Sequence, residues 1–323
     1  MITEERSKSI LEIAAGSEFT IVVKGDGSVW AWGDNQRGQL GDGTTTGRST
    51  PVQVSNLQGA VRITAGRSHG VAIKEDGTVW TWGNNEHGQL GDGTTTDRLT
   101  PVQVSNLADI VEIAAGDNHT VFVKKDGSLL ACGNNELGQL GDGTTTRRLI
   151  PVQVRNLADV LRISAGGNHT VVVNRDGTVW TWGNNDQGQL GDGTTTRRLI
   201  PVKVSDLANV VAITAGYLHS IALKEDGTAW SWGDNEQGQL GDGTITRRLT
   251  PVQVDNIAGL IEVTAGDYHT VALKGFQDIA FWGDGPVWAW GYNEYGQVLN
   301  DALQLHGAQS KYVYPVLVGN LNG

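Results

Sequence analysis

Cysteine, basic charge and long apolar runs are what this 323-residue chain has least of. One cysteine, Cys132, excludes any internal disulfide. It stands where neighbouring copies of the same pattern carry tryptophan, so it reads as a core substitution and not as a reactive thiol. Only 7 prolines are present, which argues against disorder. Lys and Arg number 24 against 35 Asp and Glu, a formal charge of −11 with no basic tail. Such a surface repels nucleic acid and anionic membrane, so neither is expected as a partner. No apolar run approaches the ~20 residues of a membrane span. The opening MITEERSKSI has no apolar signal-peptide core, and a cytoplasmic location is the expectation. Glycine is abundant instead, 45 residues, about twice the usual share, so the fold is rich in turns.

The chain repeats itself. "GQLGDGTTTRRLIPV" runs from Gly138 to Val152 and again, unchanged, from Gly188 to Val202. Pro51, Pro101, Pro151, Pro201 and Pro251 stand in phase at a period of 50, as do Gly16, Gly66, Gly116, Gly166, Gly216 and Gly266. Each unit reads as β-structure. "VLRIS" alternates apolar and polar, "HTVVVN" is β-branched and apolar, Asp176-Gly177 is a strong hairpin signal, and "TVWTW" alternates again. A long Gly/Asp/Thr loop then leads to "PVKV", whose proline suits a strand start or an edge. No stretch holds helical periodicity over ten residues.

Four short strands per unit, repeated, predict an all-β propeller of four-stranded blades in a single domain over residues 1–323. Six units are recognisable, so six blades are expected. The alternative is seven, the last built from the irregular C-terminal stretch. That sixth unit carries insertions around 275–282 and 297–314. The chain opens at "SILEIAAG" and closes on "PVLVGNL", the stretch that precedes such a segment inside the array. The expectation is that N- and C-terminal strands together complete one blade and close the ring.

The strings "WGNNDQGQLGDG", "PVKV" and "ITAGYLHS" resemble the repeat of the regulator of chromosome condensation family, over essentially the whole chain. The resemblance implies a propeller of four-stranded blades. The family's founding member is an exchange factor for a small GTPase and binds chromatin; the acidic charge and missing basic tail argue against carrying that activity over. Light-sensing members carry tryptophan beside the phased histidine. GRSHG, GDNHT, GGNHT, GYLHS and GDYHT carry none.

No nucleophile stands with a base, no acid pair is distinguished, and no Walker-type loop occurs, so no enzyme, cofactor or metal is expected. His69, His119, His169, His219 and His269 recur in phase, and are expected to bond loop backbone at a strand start. Asp42, Asp92, Asp142, Asp192 and Asp242 supply one acid per loop, too few for calcium, and fit turns closed by Asp and Thr. Arg48, Arg98, Arg148, Arg198 and Arg248 are expected to pair with a repeated acid or carbonyl. The tryptophan pairs, such as Trp180 and Trp182, are expected to pack blade against blade.

Against this constant background, the residues between "AG" and the phased histidine vary most. Glu18, Arg67, Asp117, Asn118, Tyr217, Leu218, Asp267 and Tyr268 are therefore the candidate binding residues, with Tyr217, Leu218 and Tyr268 as anchors. A second candidate is the last unit, where Phe276, Phe281, Tyr292, Tyr295, Tyr312 and Tyr314 cluster. The expected function is a non-catalytic scaffold that binds a protein or peptide through loops on one face. The alternatives are nucleotide exchange on a small GTPase, carbohydrate binding, or a recently amplified or engineered array with no specific ligand.

Overall fold

The computed structural model describes residues 9–275, 285–298 and 310–319. Every regular element among them is a β-strand. The chain divides into two compact units, Met1–Ile163 and Ser164–Gly323.

The first sheet sets the pattern. Strands Ile10–Ala15, Phe19–Lys24, Val29–Gly33 and Arg48–Gln53 pair antiparallel in chain order. The same order recurs at 60–103, 110–153, 160–203, 210–253 and 260–319. These are six four-stranded propeller blades, as expected. The irregular stretch adds no seventh among the described residues: Lys311–Gly319 is the fourth strand of the sixth blade.

The two ends do not share a blade, contrary to expectation. The first sheet is drawn wholly from residues 10–53 and the last wholly from 260–319. The chain leaves each sheet after the "PVxV" strand, at a turn where Asn56, Asn106, Asn156, Asp206 and Asn256 hold φ between 56° and 61°. A blade therefore begins with the "xxITAG" strand, which is where the sequence begins its own count. In the first blade Ile13 of that strand is 63% exposed, whereas its counterparts Ile63 and Ile113 are 5% and 8% exposed.

Local chemistry explains each blade. The second strand is buried on both faces, His119 to Val123 without a break. The hairpin that follows needs a left-handed residue, and Gly77 supplies it at φ +77°. Asp76 Oδ1 accepts from Thr78 N (3.0 Å) and from Thr78 Oγ1 (2.6 Å), and Thr78 Oγ1 in turn accepts from Trp80 Nε1 (3.0 Å). The first tryptophan of a pair thus belongs to its own hairpin; Lys24, Lys74 and Lys224 lie over Trp30, Trp80 and Trp230.

The long loop is closed by one buried asparagine. Asn135 Nδ2 donates to Asp142 Oδ1 (3.0 Å), Thr144 O (3.0 Å) and Thr146 O (3.1 Å), while its Oδ1 accepts from Leu140 N (3.0 Å). Asp142 Oδ1 also takes Thr144 N and Oγ1, and its Oδ2 holds Arg148 at 2.7 Å. The pattern repeats at Asn35, Asn85, Asn185 and Asn235. The phased acids are turn residues, and the phased arginines are their partners. Burial alone would raise the Asp142 carboxyl, but the Thr144 and Arg148 bonds outweigh it and hold the group below its usual range.

Adjacent blades within each unit are joined by a repeated device. Trp82 Nε1 of the second blade donates to Gln39 O of the first (2.9 Å). Trp232 reaches Gln189 O (2.8 Å), and Trp290 reaches Gln239 O (2.9 Å). A hydroxyl donates to the same kind of carbonyl: Thr120 to Gln89 O (2.7 Å), Ser220 to Gln189 O (2.9 Å), Thr270 to Gln239 O (3.0 Å). That spends the hydroxyl proton. So the histidine facing it must donate from Nε2: His69 to Thr120 (3.0 Å), His169 to Ser220 (2.9 Å), His219 to Thr270 (3.4 Å). His69, His169 and His219 thus bond a neighbouring blade's hydroxyl, not the loop backbone expected of them. The second tryptophans Trp82, Trp232 and Trp290 do pack blade on blade, as expected. Burying ~200 Å² of indole at ~25 cal/mol per Å² contributes about 5 kcal/mol against exposure.

Candidate functional site: a tyrosine ladder on the loop edge

Strands run alternately up and down, so the loop after the first strand and the long loop after the third meet at one edge of each blade. The backbone ties them. Asp34 N donates to Glu18 O (2.8 Å), Asn134 N to Asn118 O (2.8 Å) and Tyr292 N to Tyr268 O (2.9 Å). The approach is close enough that a Cβ at Gly83, φ +95°, would meet Ser68 O at 2.5 Å. Every candidate residue from the variable pairs lies on such an edge.

In the first unit these are Glu18 and Arg67, both exposed, and Asp117 and Asn118, both half-buried. The Glu18–Arg67 region is linked through main chain, Ser17 N to Arg67 O at 3.3 Å. Asn118 Oδ1 accepts from Gln89 Nε2 at 3.4 Å, which gives that side chain a place in the loop framework.

In the second unit the side chains converge. Tyr217 N donates to Asp267 O (3.2 Å), and Gly167 N to Tyr217 O (3.2 Å). The Tyr217 ring lies over Gly167, where a Cβ would meet its Cδ2 at 2.6 Å. Tyr217 and Tyr268 meet edge to face with centroids 5.9 Å apart. The contact continues: Tyr268 to Tyr292 at 6.4 Å, Tyr292 to Tyr295 at 6.1 Å, each edge to face. The two candidates from the sequence, the variable pair and the irregular last unit, are one continuous aromatic ladder here. Leu218 is half-buried beside it and Asp267 exposed. Tyr295 is 86% exposed and Tyr268 37%.

Of the other aromatics in that unit, Tyr312 is buried in the sixth blade, and Tyr314 packs against Gly243. Phe276 and Phe281 lie outside the described residues.

The ladder exists because the sixth blade gives up a loop staple. In other blades the residue at the Tyr292 position bonds the loop glutamine: Gln39 Nε2 to Asp34 Oδ2 (2.7 Å), Gln239 Nε2 to Asp234 Oδ2 (2.8 Å). The sixth blade keeps the rest of that turn. Val298 N donates to Asn293 Oδ1 (2.7 Å) and Tyr295 N to Gln297 Oε1 (3.0 Å). Tyr292 itself points its hydroxyl to Glu294 Oε2 (2.6 Å). That bond to a carboxylate, with some burial and the Glu294 charge, pushes the phenol up to about 12. Nearby His269 is half-buried; burial lowers its pKa, and Asp267 opposes the shift.

Sequence reading missed the asparagine that closes each loop and the blade-joining carbonyl of the loop glutamine. The signal was present: Asn35, Asn85, Asn135, Asn185 and Asn235 are in phase, and they and Asn293 each stand five residues before a Leu or Val.

Comparison with known proteins places this arrangement. The sequence pattern described as RCC1-like domain matches residues 110–323. The regulator of chromosome condensation (RCC1) repeat matches residues 26–73 and 76–123. Among curated proteins, the E3 ubiquitin-protein ligase HERC2 of Homo sapiens and of Mus musculus are each 46% identical over 54 residues. That is 17% of this chain, and the match spans 1% of those proteins. Yeast RCC1 (Prp20), solved bound to Kap60, superposes with a TM-score of 0.81 at 25% identity, covering 97% of this chain and 75% of that one. Prp20p from Saccharomyces cerevisiae, studied for its binding to Gsp1p and histones, gives 0.79 at 25% identity over 97% of this chain and 77% of its own. Human WBSCR16 shares the fold, with a TM-score of 0.82 at 22% identity over 96% of this chain and 82% of that one. With its RCC1-like domain matched over residues 110–323 and its repeats over the preceding blades, the chain belongs to the RCC1-like family.

Proposed function

We propose that this chain is a non-catalytic platform that binds a protein or peptide through the loop edge of its blades. One observation carries the reading. Four tyrosines from two consecutive blades form a contiguous, partly exposed ladder where the repeat breaks its own symmetry. Tyrosine is favoured in interface hot spots because it offers large, rigid area at low entropic cost. Blade interiors are filled by repeated packing, so the ladder is surplus to folding. Likeness to Prp20, which binds Kap60, supports a protein partner.

The test is selection from a displayed peptide library on the native chain and on a variant carrying Tyr217→Ser, Tyr268→Ser, Tyr292→Ser and Tyr295→Ser. Sequences enriched on the native chain and lost on the still-folded variant are expected. Equal enrichment on both would overturn the ladder as the binding surface.

A second reading, exchange on a small GTPase, draws support from likeness to Prp20p, which binds Gsp1p. It predicts accelerated release of a fluorescent guanine nucleotide from such a GTPase on mixing.

A further inference from the structure

The ladder is interleaved with carboxylates. Asp267 is exposed beside Tyr268, and Glu294 is exposed between Tyr292 and Tyr295. Glu294 uses Oε2 to hold the Tyr292 hydroxyl, which fixes the acid beside the rings. The nearest lysine across the strand pair, Lys311, is engaged elsewhere: its Nζ donates to Glu236 O at 3.0 Å. Arg247 likewise donates to Asp186 O at 3.3 Å, and Arg248 is held by Asp242. These three cations are committed to the framework, while the two acids stand at the exposed rings.

The spacing is the second observation. Successive ring centroids lie 5.9, 6.4 and 6.1 Å apart. In an extended peptide, alternate side chains project to one side about 6.6 Å apart. A segment with cations at every second residue thus has a repeat close to each of these separations. Each cation meets an electron-rich tyrosine face and a neighbouring carboxylate. Acidity alone would attract any cation; the ring spacing asks for an alternating one.

Resting on the platform reading above, we infer that the Tyr217–Tyr268–Tyr292–Tyr295 ladder, with Asp267 and Glu294, binds an extended peptide segment bearing Arg or Lys at alternate positions. The occupant is a basic protein segment, and a chain of net charge −11 is suited to draw it in.

The experiment compares fluorescein-labelled synthetic peptides by anisotropy on the full chain. One alternates Arg and Ser, one has the same composition in two blocks, and one alternates Glu and Ser. The alternating cationic peptide is expected to bind several-fold tighter than the block peptide, and the acidic one not at all. Tyr268→Ser with Tyr292→Ser is expected to weaken the alternating peptide by about tenfold. Asp267→Asn with Glu294→Gln is expected to weaken it several-fold. Glu75→Gln with Glu225→Gln, the same charge change on hairpins at the opposite edge, is expected to leave it unchanged. Unfolding midpoints establish that each variant is folded.

Equal binding of alternating and block peptides, abolished together by salt, would reduce the effect to bulk charge and overturn the inference. So would undiminished binding by the tyrosine variant. Should the displayed library instead yield uncharged sequences that still need the tyrosines, the cationic class falls and the platform stands.

Discussion

Phe19 and Gly70 occupy the two positions that, one blade later, are His69 and Thr120, a donor and acceptor 3.0 Å apart across the blade joint. Where the chain lacks the imidazole it lacks the hydroxyl as well. Phe19 is buried in the same apolar cluster as Trp82, and the Trp82 indole leans over Gly70, in space a threonine would need. The joint comes in a polar form and an apolar form, and each is complete.

The two halves of the polar form should therefore be coupled. Thr120→Val leaves Gln89 O without its hydroxyl donor and His69 without its acceptor, costing about 1–3 kcal/mol. His69→Phe with Thr120→Gly rebuilds the apolar form. Its loss in stability should be smaller than the sum of the two single changes, measured by urea unfolding. Strict additivity would mean the pair is not a unit.

Acid should weaken the fold through its buried histidines. Burial, with repulsion from His119, lowers His69 to about 3; burial lowers His119 to about 4; burial, with repulsion from His269, lowers His219 to about 3. An unfolded histidine titrates near 6.5. Between about 6.5 and 4 the unfolded chain binds more protons than the native one, so stability falls as pH falls through that window. It does not change on this account above it. Each ring contributes a slope of about 1.4 kcal/mol per pH unit. A urea midpoint that stays flat from neutral pH to pH ~5 would contradict the buried, neutral assignment.

Loop closure should depend more on the asparagine than on the ion pair. Asn135→Leu strands Leu140 N and the carbonyls of Thr144 and Thr146 together, and should cost about 2–4 kcal/mol. Asp142→Asn keeps the Oδ1 acceptor for Thr144 but sets an amide donor opposite Arg148, losing that ion pair and its hydrogen bonds at the half-exposed edge of the loop, so about 1–2 kcal/mol is expected. Thermal unfolding of the two variants side by side checks the order.

Cys132 should be silent in the folded chain. It is fully buried, and burial pushes its thiol far above the ordinary range. It takes the place of the joint tryptophan, reaching Gln89 O at 3.5 Å, while Phe122 fills space where other blades carry alanine or valine. A disulfide-exchange dye should find no thiol in native protein and one in denaturant. Cys132→Trp alone should overpack against Phe122, and Phe122→Ala should relieve it.

Much of this was legible in the letters. Period-two alternation in "TVWTW", the Asp-Gly turns and the phase of the prolines gave six four-stranded units, because each signal reports local backbone geometry. The blade boundary was not legible. The Asp-Gly hairpin stays within a sheet and the turn at Asn106 leaves it, yet both are tight turns with positive φ. Tyr217 and Tyr268 stood out because they vary against a constant background. Their continuation through Tyr292 did not, since that residue replaces an aspartate or asparagine whose job was itself hidden. Charge and aromaticity are visible in sequence; a carbonyl shared by two donors from the next blade is not.

That shared acceptor is main chain, so no mutation of the glutamine side chain can delete it. A blade therefore carries its joint wherever it goes. Gly138–Val152 and Gly188–Val202 are identical, and recombination between their coding sequences would excise one whole period. At the new junction the carbonyl of Gln139 would meet the hydroxyl of Ser220 and the indole of Trp232, the pair that Gln189 meets now. For an array of this kind, gaining or losing a blade is a genetic accident that chemistry does not punish, whereas exchanging one buried histidine is not.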